Sequence, residues 1–115
     1  MKLVALGDSI IKGVVLTHDG MRSRYTLSRK NIVDQCAERW GSEIVNLGKM
    51  GCTITAGERI LDKCLERIAG ARYVLLEYGG NDSDYKWQAI AENPSQEHLP
   101  HTPLSLYEQT YERVI

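Results

Sequence analysis

Two glycine-rich turns, each directly after an apolar run, hold a serine and an asparagine. Gly7-Asp8-Ser9-Ile10 follows Leu3-Val4-Ala5-Leu6, and Gly79-Gly80-Asn81-Asp82 comes shortly after Tyr73-Val74-Leu75-Leu76. A serine hydroxyl attacks an acyl carbonyl when a neighbouring base takes its proton. An asparagine amide donates hydrogen bonds to the oxygen that becomes negative during that attack. The two turns therefore supply a nucleophile and an oxyanion donor. A general base stands beside neither of them.

Strands must carry both turns to one place if this chemistry is to work. Leu3–Leu6, Ile44–Leu47 and Tyr73–Leu76 are short and mostly apolar without alternation, the pattern of strands buried on both faces. Between the first two, Ile32, Val33, Cys36, Ala37 and Trp40 recur at helical spacing, predicting a helix that begins near Ser28 and closes at Gly41. Between the second and third, Thr55 and Glu58 have capping-box spacing. Ile60, Leu61, Cys64, Leu65, Ile68 and Ala69 then form one stripe, closed by Gly70.

Strands alternating with helices in this way predict an α/β fold, a parallel sheet with right-handed crossovers and helices on both faces in three layers, α/β/α. Ligands of such sheets bind outside the carboxyl ends of the strands. The glycine-rich segments starting at Gly7, Gly48 and Gly79 all fall at those ends and are expected to converge on one crevice.

With 115 residues, 43% hydrophobic and 25% charged, the chain has the composition of one globular domain spanning 1–115. A net charge of -1 gives no electrostatic reason to expect nucleic acid or an anionic membrane as partner. The apolar run after Lys2 is too short for a signal segment, and no run reaches membrane-spanning length. Cys36, Cys52 and Cys64 are odd in number and widely spaced, which suggests neither a disulfide framework nor a metal site. A reduced, cytoplasmic setting is the expectation, with Cys36 and Cys64 acting as small buried hydrophobes.

Residues 79–104 form a long connection containing Trp87, Ile90, Pro94, Pro100 and Pro103, with one short helix starting near Asp84. A lid over the crevice and a packed surface excursion are equally good readings of it. Ser105 and Glu108 then have capping-box spacing, and Leu106, Tyr107, Tyr111, Val114 and Ile115 begin a helical stripe on which the chain stops. The expectation is a domain truncated at its C-terminus. Its third strand would then present an apolar edge open to self-association.

Taken with Asn46-Leu47-Gly48-Lys49-Met50-Gly51-Cys52-Thr53, the two turns give the chain a pattern that resembles the SGNH hydrolases, the GDSL lipase and esterase family. Three of that family's four motif blocks match, in order and over essentially the whole chain, with Ile10 in place of the commoner leucine. Each block alone is ordinary turn chemistry; their order and their positions after strands carry the resemblance. The resemblance implies a flavodoxin-like sheet, Ser9 as nucleophile, and an oxyanion hole made by the backbone amides of Ser9 and Gly51 with the Asn81 side chain. It implies no metal or organic cofactor, and a small-molecule ester or thioester as substrate.

The family's fourth block, an Asp-x-x-His that supplies the base, is absent, and the three histidines are His18, His98 and His101. His98 and His101 lie in the proline-punctuated connection and are read as substrate contacts or loop packing, since such loops rarely hold a base rigidly enough. Asp8 and Asp82 are read as turn-stabilising residues outside the catalysis. The expected function is hydrolysis of ester or thioester bonds through an acyl-serine intermediate, with this chain by itself inactive or nearly so. The alternative is a non-catalytic module that holds an anion, sugar or carboxylate in the same crevice. No Gly-x-Gly-x-x-Gly or phosphate-loop pattern supports a nucleotide site.

Overall fold

The computed structural model describes all residues, 1–115. Strands β1 (Lys2–Gly7), β4 (Glu43–Asn46) and β5 (Tyr73–Glu77) form one parallel sheet in the order β4-β1-β5. Leu3 lies opposite Ile44 on one side and Tyr73 on the other, so the central strand is β1. The expected three strands are present to within about a residue at each end, but only β1 is buried as expected, because β4 and β5 are the two edges of the sheet and stay partly exposed.

Alternate residues of β1 face opposite ways and build two cores. Val4 and Leu6 join Leu47, Ile54 and Tyr78, against which Ile60, Leu61, Tyr107, Tyr111 and Val114 pack. Leu3 and Ala5 join Ile11 and Val33 on the other side, with Ile44 packed against them. Helix α2 (Ile32–Trp40) thus serves one face, while α3 (Ile54–Lys63) and α6 (Leu104–Val114) serve the other. The result is a mixed α/β fold, a three-stranded parallel sheet flanked by helices.

Residues between β1 and α2 depart from the expected simple connection. After α1 (Ser9–Lys12), a single turn, strands β2 (Val14–Asp19) and β3 (Arg22–Leu27) pair antiparallel through the two-residue turn Gly20-Met21. Both strands are largely exposed, with Leu16 and Tyr25 among their uncovered side chains. Without a buried face the hairpin has no apolar alternation to read, although Gly20, at φ of 60° in the first loop position, is the residue a tight hairpin turn favours there. His18 lies in β2, its Nδ1 2.7 Å from Ser23 Oγ.

Three helix starts also differ. In α2 the cap is Asn31, whose side chain accepts from Asp34 N–H at 2.9 Å, because Ser28 is occupied in a turn with Lys30. In α3 the cap is Thr53 rather than Thr55, and the backbone leaves helical geometry at Cys64 before a short α4 (Leu65–Ile68). In α6 Pro103 stands at the N-cap without a side-chain bond, so Ser105 is already inside the helix and forms no capping box.

The long connection carries α5 (Trp87–Glu92), which starts after Asp84. Asp84 Oδ1 accepts from the Tyr85 N–H and from Trp87 Nε1–H, which fixes the indole. The connection's two ends are laced together, His101 N–H donating to Asp84 O at 2.8 Å and Thr102 N–H to Asp82 O at 3.0 Å. Outside it, β5 is an edge of the sheet, and Tyr73, Val74 and Leu75 remain about half exposed along it. No helix is long and apolar enough to cross a membrane.

Candidate active site

The chain leaves β1 and β5 on the same end of the sheet, with the β1-to-β4 and β4-to-β5 connections carrying helices on opposite faces. That is the place where an open α/β sheet forms a crevice. Gly7 ends β1 with almost no room for a side chain, since a Cβ there would lie 2.8 Å from Glu77 O and 3.0 Å from Glu77 Oε2. Glycine therefore lets the nucleophile turn lie against the end of β5.

Asp8 is nearly fully buried. Its Oδ1 accepts from Ile10 N–H at 2.8 Å, capping α1, which is the local turn role expected of it. Its Oδ2 accepts from Asn81 Nδ2 at 3.2 Å, and its own N–H points to Glu77 Oε2 at 3.4 Å. Ser9, the next residue, opens α1 and is half-buried.

The glycine block is tied to the same turn. Lys49 N–H donates to Gly7 O at 3.0 Å, and Asn46 bridges by donating to Ile11 O at 2.7 Å while accepting from Gly48 N–H at 2.9 Å. Gly51 is exposed, with φ of 71° and open space where a Cβ would stand. Its backbone conformation is the one L side chains avoid. The same open space leaves its main chain accessible to a ligand.

Asn81 joins all three blocks. The second hydrogen of its amide goes to Cys52 O at 3.1 Å, so one side chain links the serine turn to the glycine turn. Asp82, also buried, does something other than stabilise its own turn: both its oxygens accept from Ile54 N–H, at 3.0 and 3.1 Å. It caps α3 from a distant segment, where a carboxylate also complements the helix dipole. Tyr107 Oη donates to Tyr78 O at 2.9 Å, so α6 braces the exit of β5.

Burial, reinforced by the neighbouring Asp8 carboxyl, holds Glu77 above the ordinary carboxylate range. Burial likewise raises the Cys52 thiol against the opposing pull of Lys49, and raises the Tyr78 phenol, with Cys52 as its next neighbour in effect. Burial thus disfavours the charged forms of Glu77, Cys52 and Tyr78 near the ends of β4 and β5. Glu77 and Asn46 were not evident as site residues in the sequence. The one available signal was their position, each at the carboxyl end of an apolar strand.

His98 and His101 lie apart from these contacts. With Tyr85, Lys86, Ala89, Leu99 and Pro100 they line a separate depression of about 520 Å³ in the long connection. His98 Nε2 is 2.8 Å from Asn93 O, and neither histidine ring is hydrogen-bonded to Ser9. No cluster of His, Cys, Asp and Glu has the make-up of a metal site.

The chain matches no protein-family model, and no curated protein matches its sequence.

Proposed function

We propose that this chain carries the nucleophile and oxyanion half of a serine ester hydrolase of the SGNH type, on a flavodoxin-like sheet. Ser9 is the nucleophile, and the N–H groups of Ser9 and Gly51 with the Asn81 amide receive the oxyanion. The substrate is an ester or thioester of a small acyl group, cleaved through an acyl-serine without a cofactor. The base comes from residues outside these 115. The observation that carries this reading is the pair of Asn81 hydrogen bonds, to Asp8 and to Cys52, which join the serine turn to the glycine turn.

The chemistry follows from those positions. Attack by Ser9 Oγ on an acyl carbonyl turns its oxygen negative, and N–H donors placed beside that oxygen stabilise the charge. Both Asn81 amide hydrogens are engaged in the resting arrangement, so one must turn from its present partner to serve the oxyanion. Because no imidazole meets Ser9, its hydroxyl stays a weak nucleophile.

The test is chemical rescue. In the presence of imidazole and p-nitrophenyl acetate, the Ser9 peptide is expected to gain an acetyl group, identified by peptide mapping, faster than the chain's other hydroxyls. Without imidazole, the esterase rates of the chain and of Ser9→Ala are expected to agree. A vigorous esterase rate abolished by Ser9→Ala would overturn the assignment of the base, and no preference for Ser9 under rescue would overturn the nucleophile.

The second reading, a non-catalytic module that holds a small polar ligand in the crevice, is favoured by one observation. The Asn81 donors are satisfied within the protein, as structural donors are.

A further inference from the structure

A depression of about 260 Å³ lies between the glycine turn and α3. Gly51, Cys52, Ala56 and Ile60 line it together with three cations, Lys49, Arg59 and Lys63. All three cations are exposed, and the depression holds no acidic side chain. The chain has two ion pairs, Lys30 with Glu38 and Arg113 with Glu58, and neither involves these residues. Glu58, the acid next to Arg59 in sequence, is hydrogen-bonded to the α6 guanidinium at 2.7 Å and feels Arg59 only as the weakest of the charges that lower its pKa.

Arg59 and Lys63 are four residues apart on one helix face, a spacing at which like charges repel. Lys49 adds a third positive charge from the turn. An anion placed among them relieves the repulsion and gains three attractions at once. The Cys52, Ala56 and Ile60 side chains in the lining suit a short hydrocarbon segment attached to that anion.

The depression also shares Gly51 and Cys52 with the candidate oxyanion site, and Cys52 O receives the Asn81 amide. We infer that Lys49, Arg59 and Lys63 form an anion subsite, and that the substrate is an ester with a carboxylate or phosphate group a short apolar distance from the acyl carbon. This specificity rests on the hydrolase reading above, but the binding of the anion does not.

The test separates the two. A 15N-labelled chain is titrated with hexanoate, with inorganic phosphate and with hexanol, and its amide shifts are followed. Saturable shifts at Gly51, Cys52, Ala56 and Arg59 are expected with an anion and not with hexanol. Preference for hexanoate over phosphate assigns a carboxylate with an apolar stem, and the reverse assigns a phosphate. Raising NaCl from about 0.05 to about 0.3 M is expected to weaken binding, since exposed charges are screened.

The double variant Arg59→Gln/Lys63→Gln is expected to lose about fivefold or more in affinity, while Arg59→Lys/Lys63→Arg keeps it. Both pairs are exposed, and unchanged circular dichroism verifies folding. Undiminished affinity in the glutamine variant, equal shifts with hexanol, or anion shifts centred elsewhere would overturn the subsite. Failed imidazole rescue at Ser9 with intact anion binding would instead overturn only the hydrolase reading.

Discussion

Asn81 donates to the buried carboxylate of Asp8 at 3.2 Å across 73 positions of the chain. That bond joins the turn after β5 to the turn after β1. It gives Asn81 a structural role alongside the one proposed for it in chemistry.

Replacing Asn81 with alanine should therefore have two separable effects. Loss of its bonds to the Asp8 carboxyl and to the Cys52 carbonyl is expected to destabilise the chain by about 2 kcal/mol, read from urea unfolding. In any form supplied with a base, the same change should cost a further ~2.7–4 kcal/mol of transition-state stabilisation, read from kcat. An active variant with unaltered stability would contradict both roles.

Asp82→Ala should be as damaging to stability although Asp82 touches no reacting group. It leaves the Ile54 N–H buried without an acceptor, at a cost of about 1–3 kcal/mol. Asp82→Asn keeps an acceptor oxygen and should recover much of the loss. Thermal unfolding of the two variants decides this, and equal melting temperatures for alanine and asparagine would count against the cap.

Glu77 makes stability depend on pH. Its folded pKa is raised, so its contribution is fully present below the unfolded carboxylate pKa of about 4.3 and is lost as pH rises through the folded value. Glu77→Gln stays neutral and keeps an acceptor for the Asp8 N–H. The variant should match the parent near pH 4 and be the more stable of the two at pH 8, by Tm. A constant difference between them would remove Glu77 as the source.

The thiols should divide into two classes. Cys52 is about 3% exposed and its thiol is raised by burial, whereas Cys36 and Cys64 are partly exposed. In the native state a thiol reagent should modify Cys36 and Cys64 and leave Cys52 until unfolding. Early loss of the Cys52 peptide in a mass-mapped time course would show that the glycine turn opens readily.

Much of the fold could be read along the chain because the signals are local. Unalternating apolar runs mark β1, β4 and β5, although only the central β1 is covered on both faces and the edge strands β4 and β5 stay partly exposed. The stripes of α2 and α3 follow from the helical period, and Gly41 ends α2 where a left-handed residue was expected. The hairpin was not legible, because a ribbon exposed on both faces imposes no apolar pattern. Nor were the caps: Asn31 and Thr53 stand at the helix starts instead of Ser28 and Thr55 because their side chains meet a free N–H in three dimensions, and α6 starts after Pro103 with no side-chain cap, which leaves Ser105 inside the helix.

The site divides along the same line. Residue types and spacing by themselves determined that Ser9, Gly51 and Asn81 occupy turns at strand ends, because glycine and small polar residues are what such turns require. Only the tertiary structure decided the partners: Asn81 bonds to Asp8 and Cys52, Glu77 closes on Asp8, Asp82 caps α3, and His98 and His101 occupy a depression of their own. Each pairing joins segments distant in sequence or depends on how a loop folds back, and the strength of a hydrogen bond is set by a distance and an angle that no local pattern contains.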